Sequence, residues 1–528
     1  MNETSTRDTD VLVVGAGPTG LVLALWLTRL GVRVRVIDET AEPGTTSRAL
    51  AVQARTLELY RQIDLAEAVV ERGHKLVAGN LWVAGSHASR FVFGAMGEGL
   101  SPYPYALIFP QDEHERLLID RSAAAGVEVE RRTELIDFSQ ANAEANGRVL
   151  ARLKRPDGAV EACAASYIAG CDGARSTVRE ALGIGFPGGV YNHLFYVADV
   201  EASGATMNGE VHVALDVTDF LAVFPLKDRT RARLIGTVRA EAERHHDDLS
   251  WNDVSKRVIE WMRIDVERVN WFSTYRVHHR VADHFRKGRA FILGDAAHIH
   301  SPVGGQGMNT GIGDAVNLAW KLAAVIHRNA NASSLDGNAS LLDSYEPERI
   351  KFARRLVATT DQAFTGVTSD GALARLIRLN IVPMLMPPLF KLDAVRRFMF
   401  RTVSQTLVNY RGSSLSVGRA GTVHGGDRLQ WVEMDGVGGD NFTPLNSLNW
   451  QVHVYGDAKP ELKALCDQQK LPLHVFPWTP EMDRAGLQRG SVYLVRPDGY
   501  VGLADPEGSA RGVKSYLDAR KLSACLKD

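Results

Sequence analysis

The hydrophobic pattern changes period along the chain, and each change marks an element. Val11-Leu12-Val13-Val14 is an unbroken apolar run ahead of a glycine, which predicts a buried parallel strand. Leu21 to Leu30 predicts a helix that Gly31 ends, and Val32-Arg33-Val34-Arg35-Val36-Ile37 a second strand. A helix is expected from Gln53 to Tyr60 and another from Asp112 to Ala125, with a strand at Val127 to Val129. Residues 76–108 alternate apolar and polar positions with aromatics, as a sheet does. Residues 148–154 and 159–163 predict a hairpin around Pro156-Asp157-Gly158. Alternation returns over about 190 to 240, followed by a helix around Asp253 to Met262. Ala290-Phe291-Ile292-Leu293 is a further buried strand, and apolar spacing at Val316, Ala319, Trp320 and Ala323 predicts a helix from Gly307 to about Ile326.

Beyond residue 360 the pattern is different. Residues 375–410 are helical and apolar but broken by Pro383, Pro387 and Pro388, too interrupted to span a bilayer. From about Ser413 a separate α/β module is expected, with strands at 450–455 and 473–476, a strand, turn and strand over 491–501, and helices at 461–469 and about Arg511 to Ala524.

Composition narrows the class. The chain has 528 residues, enough for two or three domains, with 45% hydrophobic and 23% charged residues, as in a soluble globular enzyme. A net charge of -1 points to neither nucleic acid nor an anionic membrane. The four cysteines (Cys163, Cys171, Cys466, Cys525) form no CxxC and no zinc spacing, so a reducing cytoplasmic location is expected. Residues 11–30 are apolar enough to suggest a membrane span. Three glycines and a proline interrupt them, and no basic segment precedes them, so no signal peptide or span is expected.

Chemistry enters at two places nearly 280 residues apart. Gly15-Ala16-Gly17-Pro18-Thr19-Gly20 fits GxGxxG between strand and helix. The first glycine permits a tight turn, the second admits a pyrophosphate, and the third lets the helix pack closely. The helix N-terminus would face the phosphates, and Asp38, with Glu39 beside it, ends the second strand where an acid takes ribose hydroxyls. Arg48, in Thr45-Thr46-Ser47-Arg48, is placed to meet a phosphate or a flavin edge, or is a surface arginine. The second place is residues 294–309, Gly-Asp-Ala-Ala-His-Ile-His-Ser-Pro-Val-Gly-Gly-Gln-Gly-Met-Asn.

These two motifs, with Cys171-Asp172-Gly173, resemble the three signatures of class A flavin-dependent aromatic hydroxylases, the single-component FAD monooxygenases of the para-hydroxybenzoate and phenol hydroxylase type. The resemblance covers residues 8 to about 360, and the Gly304–Gly311 tail looks closest to hydroxylases of phenols and aromatic polyketides. It implies an α/β architecture: a Rossmann-like FAD-binding domain (1–75, 109–185 and 280–360) and an inserted antiparallel-sheet substrate domain (76–108 and 186–279). A helical connector (361–412) and a thioredoxin-like domain without redox cysteines (413–528) complete it.

The resemblance also implies roles. Asp38 would bind the adenosine ribose, Arg48 and Gln111 the diphosphate and ribityl region, and Asp295 the ribityl hydroxyls. Pro302 and the backbone of 304–309 (Gly305, Gln306, Gly307, Met308, Asn309 among them) would lie against the isoalloxazine. Asp172 and Arg175 belong to a segment tied to FAD and the nicotinamide cofactor, or form a structural Asp-Gly turn. With one GxGxxG only, NADH or NADPH would visit transiently.

The helix starting near Met308 would aim free N–H groups at N1 and C2=O of the reduced flavin, stabilising its anion and then a C4a-hydroperoxide that oxygenates the substrate. Trp82, Phe91, Phe93, Tyr196 and Phe224 suit a planar apolar substrate, or fill the core. The pattern names no catalytic base; His298, which matches a mainly structural family position, and His300 are candidates. The expected reaction is hydroxylation of a phenolic or polycyclic aromatic with NAD(P)H and O2. The alternatives are Baeyer–Villiger insertion or epoxidation on the same scaffold, and a flavoprotein that binds without oxygenating. No Trp-x-Trp-x-Ile-Pro halogenase motif occurs. A homodimer is left open.

Overall fold

The computed structural model describes residues 7–44, 49–140, 147–216, 219–227, 230–238, 249–301, 303–331, 339–368, 381, 384, 388–389, 391–434 and 439–522. Arg48, Pro302, most of 369–390 and Ala524 lie outside these residues. The chain forms a mixed α/β fold around three large sheets.

The first sheet runs in the order Arg286–Lys287, Ala290–Ile292, Val160–Gly170, Arg7–Val14, Val34–Ile37, Val129–Glu130. Its central pairs are parallel: Val11 lies opposite both Tyr167 and Val34, Ile168 opposite Ala290, and Val36 opposite Val129. Val11, Leu12, Val13, Val36 and Ile168 are fully buried. Burial on both faces of a parallel sheet explains why its strands read as continuous apolar runs. The helix Pro18–Arg29 packs against helices Gln111–Ala124 and Gly307–Asn331. The hairpin predicted around residues 156–158 is present, with Val149–Lys154 antiparallel to Val160–Gly170 and Gly158 at φ +83°.

The second sheet has eight strands in the order His298–Ile299, Ile264–Val281, Gly188–Gly204, Arg231–Thr237, Phe220–Pro225, Val211–Leu215, Ala78–Val83, Ser86–Val92. Two distant stretches of alternation thus meet where Val211–Leu215 runs parallel to Ala78–Val83. The 76–108 stretch departs from the expected sheet at its end. Gly94–Gly97 makes a helical turn, and Ala106–Ile108 pairs with Ala51–Val52 and His74–Leu76 in a small sheet of its own. Three-residue strands carry too few alternating positions to declare their partner in sequence.

The third sheet runs Val423–His424, Val417–Ala420, Val501–Asp505, Val492–Val495, Gln451–Tyr455, Leu473–Phe476. This segment is less separate than its sequence suggests. Trp450 is fully buried edge-on to Trp320, with ring centroids 5.7 Å apart, and belongs to the same apolar core as the first sheet. A buried ionic network crosses the same junction. Glu348 accepts from Arg496 Nη1 (2.8 Å) and Nη2 (3.0 Å), from Lys321 Nζ (2.8 Å) and from Asn317 (2.7 Å). A second crossing pairs Arg428 with Glu58 through two hydrogen bonds of 2.5 and 2.8 Å.

Candidate flavin site

The glycine loop is built by collision. Gly15 sits at φ +102°, and a Cβ there would strike the Cys171 carbonyl; a Cβ on Gly20 would strike the carbonyl of Gly15. Gly17 is the opposite case. A Cβ on it would meet nothing within 4 Å, and the helix it caps has Pro18 in its first turn and no side-chain cap. Open space before uncapped N–H groups is what a pyrophosphate requires, so the loop fits a dinucleotide. Asp38 closes the far side: Oδ2 accepts from Ala16 N at 2.7 Å and Oδ1 from Thr40 N at 2.9 Å, with Arg131 Nη1 3.4 Å from Oδ1. Glu39 is exposed beside it.

The second motif meets the first at Thr19. A Cβ on Gly294 would lie 2.7 Å from Thr19 Oγ1, and one on Gly311 would collide with the same oxygen and lie 3.1 Å from the Gly294 Cα. Thr19 is therefore wedged between the Gly294–Ala296 turn, which presents Asp295, and the first turns of helix Gly307–Asn331. Asp295 is exposed.

Much of what holds this turn was not singled out in the sequence. Asp314, fully buried, accepts from Gly294 N (3.1 Å) and Arg349 Nε (2.5 Å) and lies 2.7 Å from His298 Nε2. Burial alone would raise its pKa; Arg349 and His298 overcome that and hold it below the usual carboxylate range. His298 is thereby committed to structure. Arg179 is a second tie, donating to Ala174 O (2.9 Å) and Ala296 O (3.0 Å) and so joining the Asp-Gly segment to the Asp295 turn. Asp314 and Arg179 carry no local signal beyond a charge within a helix.

The Asp-Gly segment lies against the glycine loop, since Cys171 and Asp172 supply the atoms that exclude a Cβ at Gly15. Asp172 Oδ2 accepts from Val178 N at 3.1 Å, and burial raises its pKa despite bonds from Ser176 and Val178. Arg175 is exposed. Gln111 Nε2 donates to Glu115 Oε1 (2.7 Å) at the start of its helix.

In the Gly304–Asn309 tail, Gly304 and Gly305 take φ +77° and +61°. Gln306 and Asn309 spend their side chains on the protein. Gln306 donates to Val403 O (2.7 Å) and accepts from Gln405 Nε2 (2.6 Å). Asn309 accepts from Gln53 N (2.9 Å) and Thr56 Oγ1 (2.7 Å) and donates to Ala51 O and Gly305 O, both at 2.8 Å. These two residues can serve a cofactor only through backbone groups, as Gly307 and Met308 can at the helix N-terminus.

Strand register sorts the aromatic candidates. Phe224 pairs with Arg233, and Phe91 with Gly79; both share the sheet face that carries Val211 and Val213 and packs toward Leu50 and Ala51. Phe93 packs beside Phe91 and against the same cluster. Trp82 and Tyr196 point to the opposite face, into a core with Trp251 and Phe272. They are core residues, because a period of two puts neighbours in sequence on opposite sides.

With the geometry established, comparison with known proteins identifies the class. The FAD binding domain model matches residues 8–360, and the chain belongs to that family. It is 33% identical over 542 residues to 6-methylpretetramide 4-monooxygenase of Streptomyces rimosus, covering 97% of this chain and 93% of that one. The solved structure of OxyS anhydrotetracycline hydroxylase from Streptomyces rimosus superimposes with a TM-score of 0.76 at 29% identity, covering 98% of this chain and 99% of that one. A ternary complex of aklavinone-11 hydroxylase with FAD and aklavinone shares the fold, with a TM-score of 0.77 at 23% identity over 99% and 100% of the two chains. The protein is a flavoprotein monooxygenase of the aromatic hydroxylase group, with FAD as its cofactor. No helix among the described residues is long and apolar enough to cross a membrane.

Proposed function

We propose that the protein hydroxylates a phenolic or polycyclic aromatic substrate, using NADPH or NADH and O2. The observation that carries this reading is the meeting of the glycine loop and the Gly294–Gly311 tail at Thr19, with Gly305 of the tail set against Ala51, which packs in the cluster that holds Phe224. Bound FAD supplies the activation of dioxygen. Gly15, Ala16, Gly17, Pro18, Thr19 and Gly20 hold its pyrophosphate against the helix N-terminus, and Asp38, with Glu39 beside it, takes the adenosine ribose. Gln111 and Arg48 serve the diphosphate and ribityl region, and Asp295, exposed on its turn, takes the ribityl hydroxyls. The family resemblance assigns Pro302 to the isoalloxazine; Gly305 and the backbone N–H groups from Gln306 to Asn309 face the ring end, where a helix N-terminus favours negative charge. Asp172 and Arg175 serve FAD and the visiting nicotinamide. The second sheet excludes water and orients the aromatic substrate.

We assign residues 413–528 to a thioredoxin-like domain. Gln451–Tyr455 runs parallel to Leu473–Phe476 and antiparallel to Val492–Val495, which pairs antiparallel with Val501–Asp505. Helices Pro460–Gln469, Pro480–Arg484 and Ala510–Arg520 are interleaved in the matching order.

The test is to mix the FAD-loaded protein with simple phenols, naphthols and anhydrotetracycline under air and NAD(P)H. Stimulated NAD(P)H oxidation with a product heavier by one oxygen and its rings intact supports the reading. A ring-expanded lactone, an epoxide, or no stimulation by any panel member overturns it. Asp295→Ala should yield nearly colourless protein, and full FAD occupancy in that variant would contradict the cofactor assignment.

A further inference from the structure

His298 and His300 stand two residues apart at the ring end of the proposed site, and the structure uses them differently. His298 is committed to Asp314. His300 places Nδ1 2.7 Å from the carbonyl of Ser301. A carbonyl only accepts, so Nδ1 carries the proton and Nε2 of the neutral ring is a bare lone pair. That Nε2 is buried without a hydrogen-bond partner among the described residues. It faces the start of helix Gly307–Asn331, 3.8 Å from where a Cβ on Gly307 would stand. Burial keeps the ring neutral, holding its pKa down to about 4 against the carbonyl contact that would raise it. His298 acts in the same direction as burial, and it faces Asp314, itself paired with Arg349. On the paired strand, Arg280 lies opposite Ile299. A buried acceptor with nothing to accept from is costly unless a ligand or an ordered water supplies the donor.

The geometry points to His300 as the residue that receives the hydroxyl of the phenolic substrate, its Nε2 accepting the O–H and so setting which ring carbon faces the oxygenating end of the cofactor. This rests on the reading of the 304–309 backbone as the flavin ring site. The N1 and C2=O positions expected there are acceptors and gain negative charge on reduction, so they repel a lone pair, whereas an O–H donor on a neighbouring ligand does not. The cofactor's own ring donor, N3–H beside C2=O, is told apart from a phenol by the FAD-affinity measurement below. The contact is a hydrogen bond to a neutral imidazole with no proton transferred, and His300 acts as a positioning residue.

The experiment uses the FAD-loaded full chain and His300→Leu and His300→Gln. Gln keeps an acceptor near the Nε2 position; Leu removes it. Each variant is titrated, without reductant, with phenol, 1-naphthol and anhydrotetracycline, and with the methyl ethers of the first two, following the flavin absorption band. The expected result is that His300→Leu binds the phenols about tenfold more weakly, the loss expected of one buried hydrogen bond. The ethers should bind it as they bind the wild type, and His300→Gln should recover most of the affinity. FAD affinity and the flavin midpoint potential should be unchanged in both variants. Equal loss for phenols and ethers, or no loss for either, overturns the proposal. A changed FAD affinity or potential without phenol assigns the lone pair to the cofactor and overturns it too. If no phenol perturbs the wild-type flavin, the functional reading itself falls, an outcome distinct from the others.

Discussion

Arg496 and Glu348 form a two-point ion pair, at 2.8 and 3.0 Å, with both side chains fully buried and their positions 148 apart in sequence. Glu348 also receives Lys321, and Arg496 also holds Asp498 at 3.0 and 2.7 Å. The next residue, Arg349, carries Asp314 and through it the Gly294 turn. The C-terminal segment is thus tied to the scaffold of the flavin site by neighbouring buried charges.

Glu348→Gln should therefore destabilise the whole chain. It leaves Lys321 and Arg496 without their shared counter-charge, and breaking a buried pair from one side costs about 3–5 kcal/mol. Chemical unfolding followed by tryptophan fluorescence and by release of FAD should shift together. A loss confined to the C-terminal segment, with FAD retained at wild-type denaturant concentration, would refute the coupling.

Acid should act on the same network. Glu348, Asp314 and Glu58 are all buried, which by itself raises a carboxyl pKa. Arg496 and Lys321, Arg349 and His298, and Arg428 and Arg55 respectively more than reverse this and lower all three. A carboxylate depressed by folding stabilises the native state above its unfolded pKa, and the contribution is lost as pH falls toward the folded value. The contribution of these three carboxylates should hold steady above about pH 5 and fall steeply below about pH 4. Glu348→Gln should flatten that fall, and an unchanged acid limb would contradict it.

Gly311→Ala should lose FAD. The new Cβ would collide with Thr19 Oγ1 and force apart the glycine loop and the Gly294 turn. We expect at least about tenfold weaker FAD binding, about 1.4 kcal/mol. Adding Thr19→Ala removes the oxygen but leaves the Gly294 Cα at 3.1 Å, so partial recovery is expected. FAD titration of the apoprotein measures both, and no recovery in the double variant would locate the damage elsewhere.

The two faces of the second sheet should separate in mutation. Phe224→Ala should weaken the aromatic substrate more than it lowers Tm. Tyr196→Ala, which removes a buried ring packed against Trp251 and Phe272, should cost about 3–5 kcal/mol of stability. Parallel measurement of Tm and substrate affinity decides, and a reversal of the two effects would show the face assignment to be wrong.

The sequence by itself determined the local elements and both ends of the proposed cofactor site. Strand, glycine loop and helix at 11–30 are legible because chain neighbours make the turn and the steric demand falls on single residues. The 294–309 motif is legible for the same reason. Only the tertiary structure decided what grips these motifs and which sheet face each aromatic takes. Asp314, Arg349, Glu348 and Arg496 are isolated charges in their own segments and acquire meaning only when folding buries them together. Phe224 and Tyr196 look alike in sequence, and strand register alone sends one toward Leu50 and Ala51 and the other into the core. Turn geometry is set by neighbours in the chain, whereas counter-charges and sheet faces are set by neighbours in space.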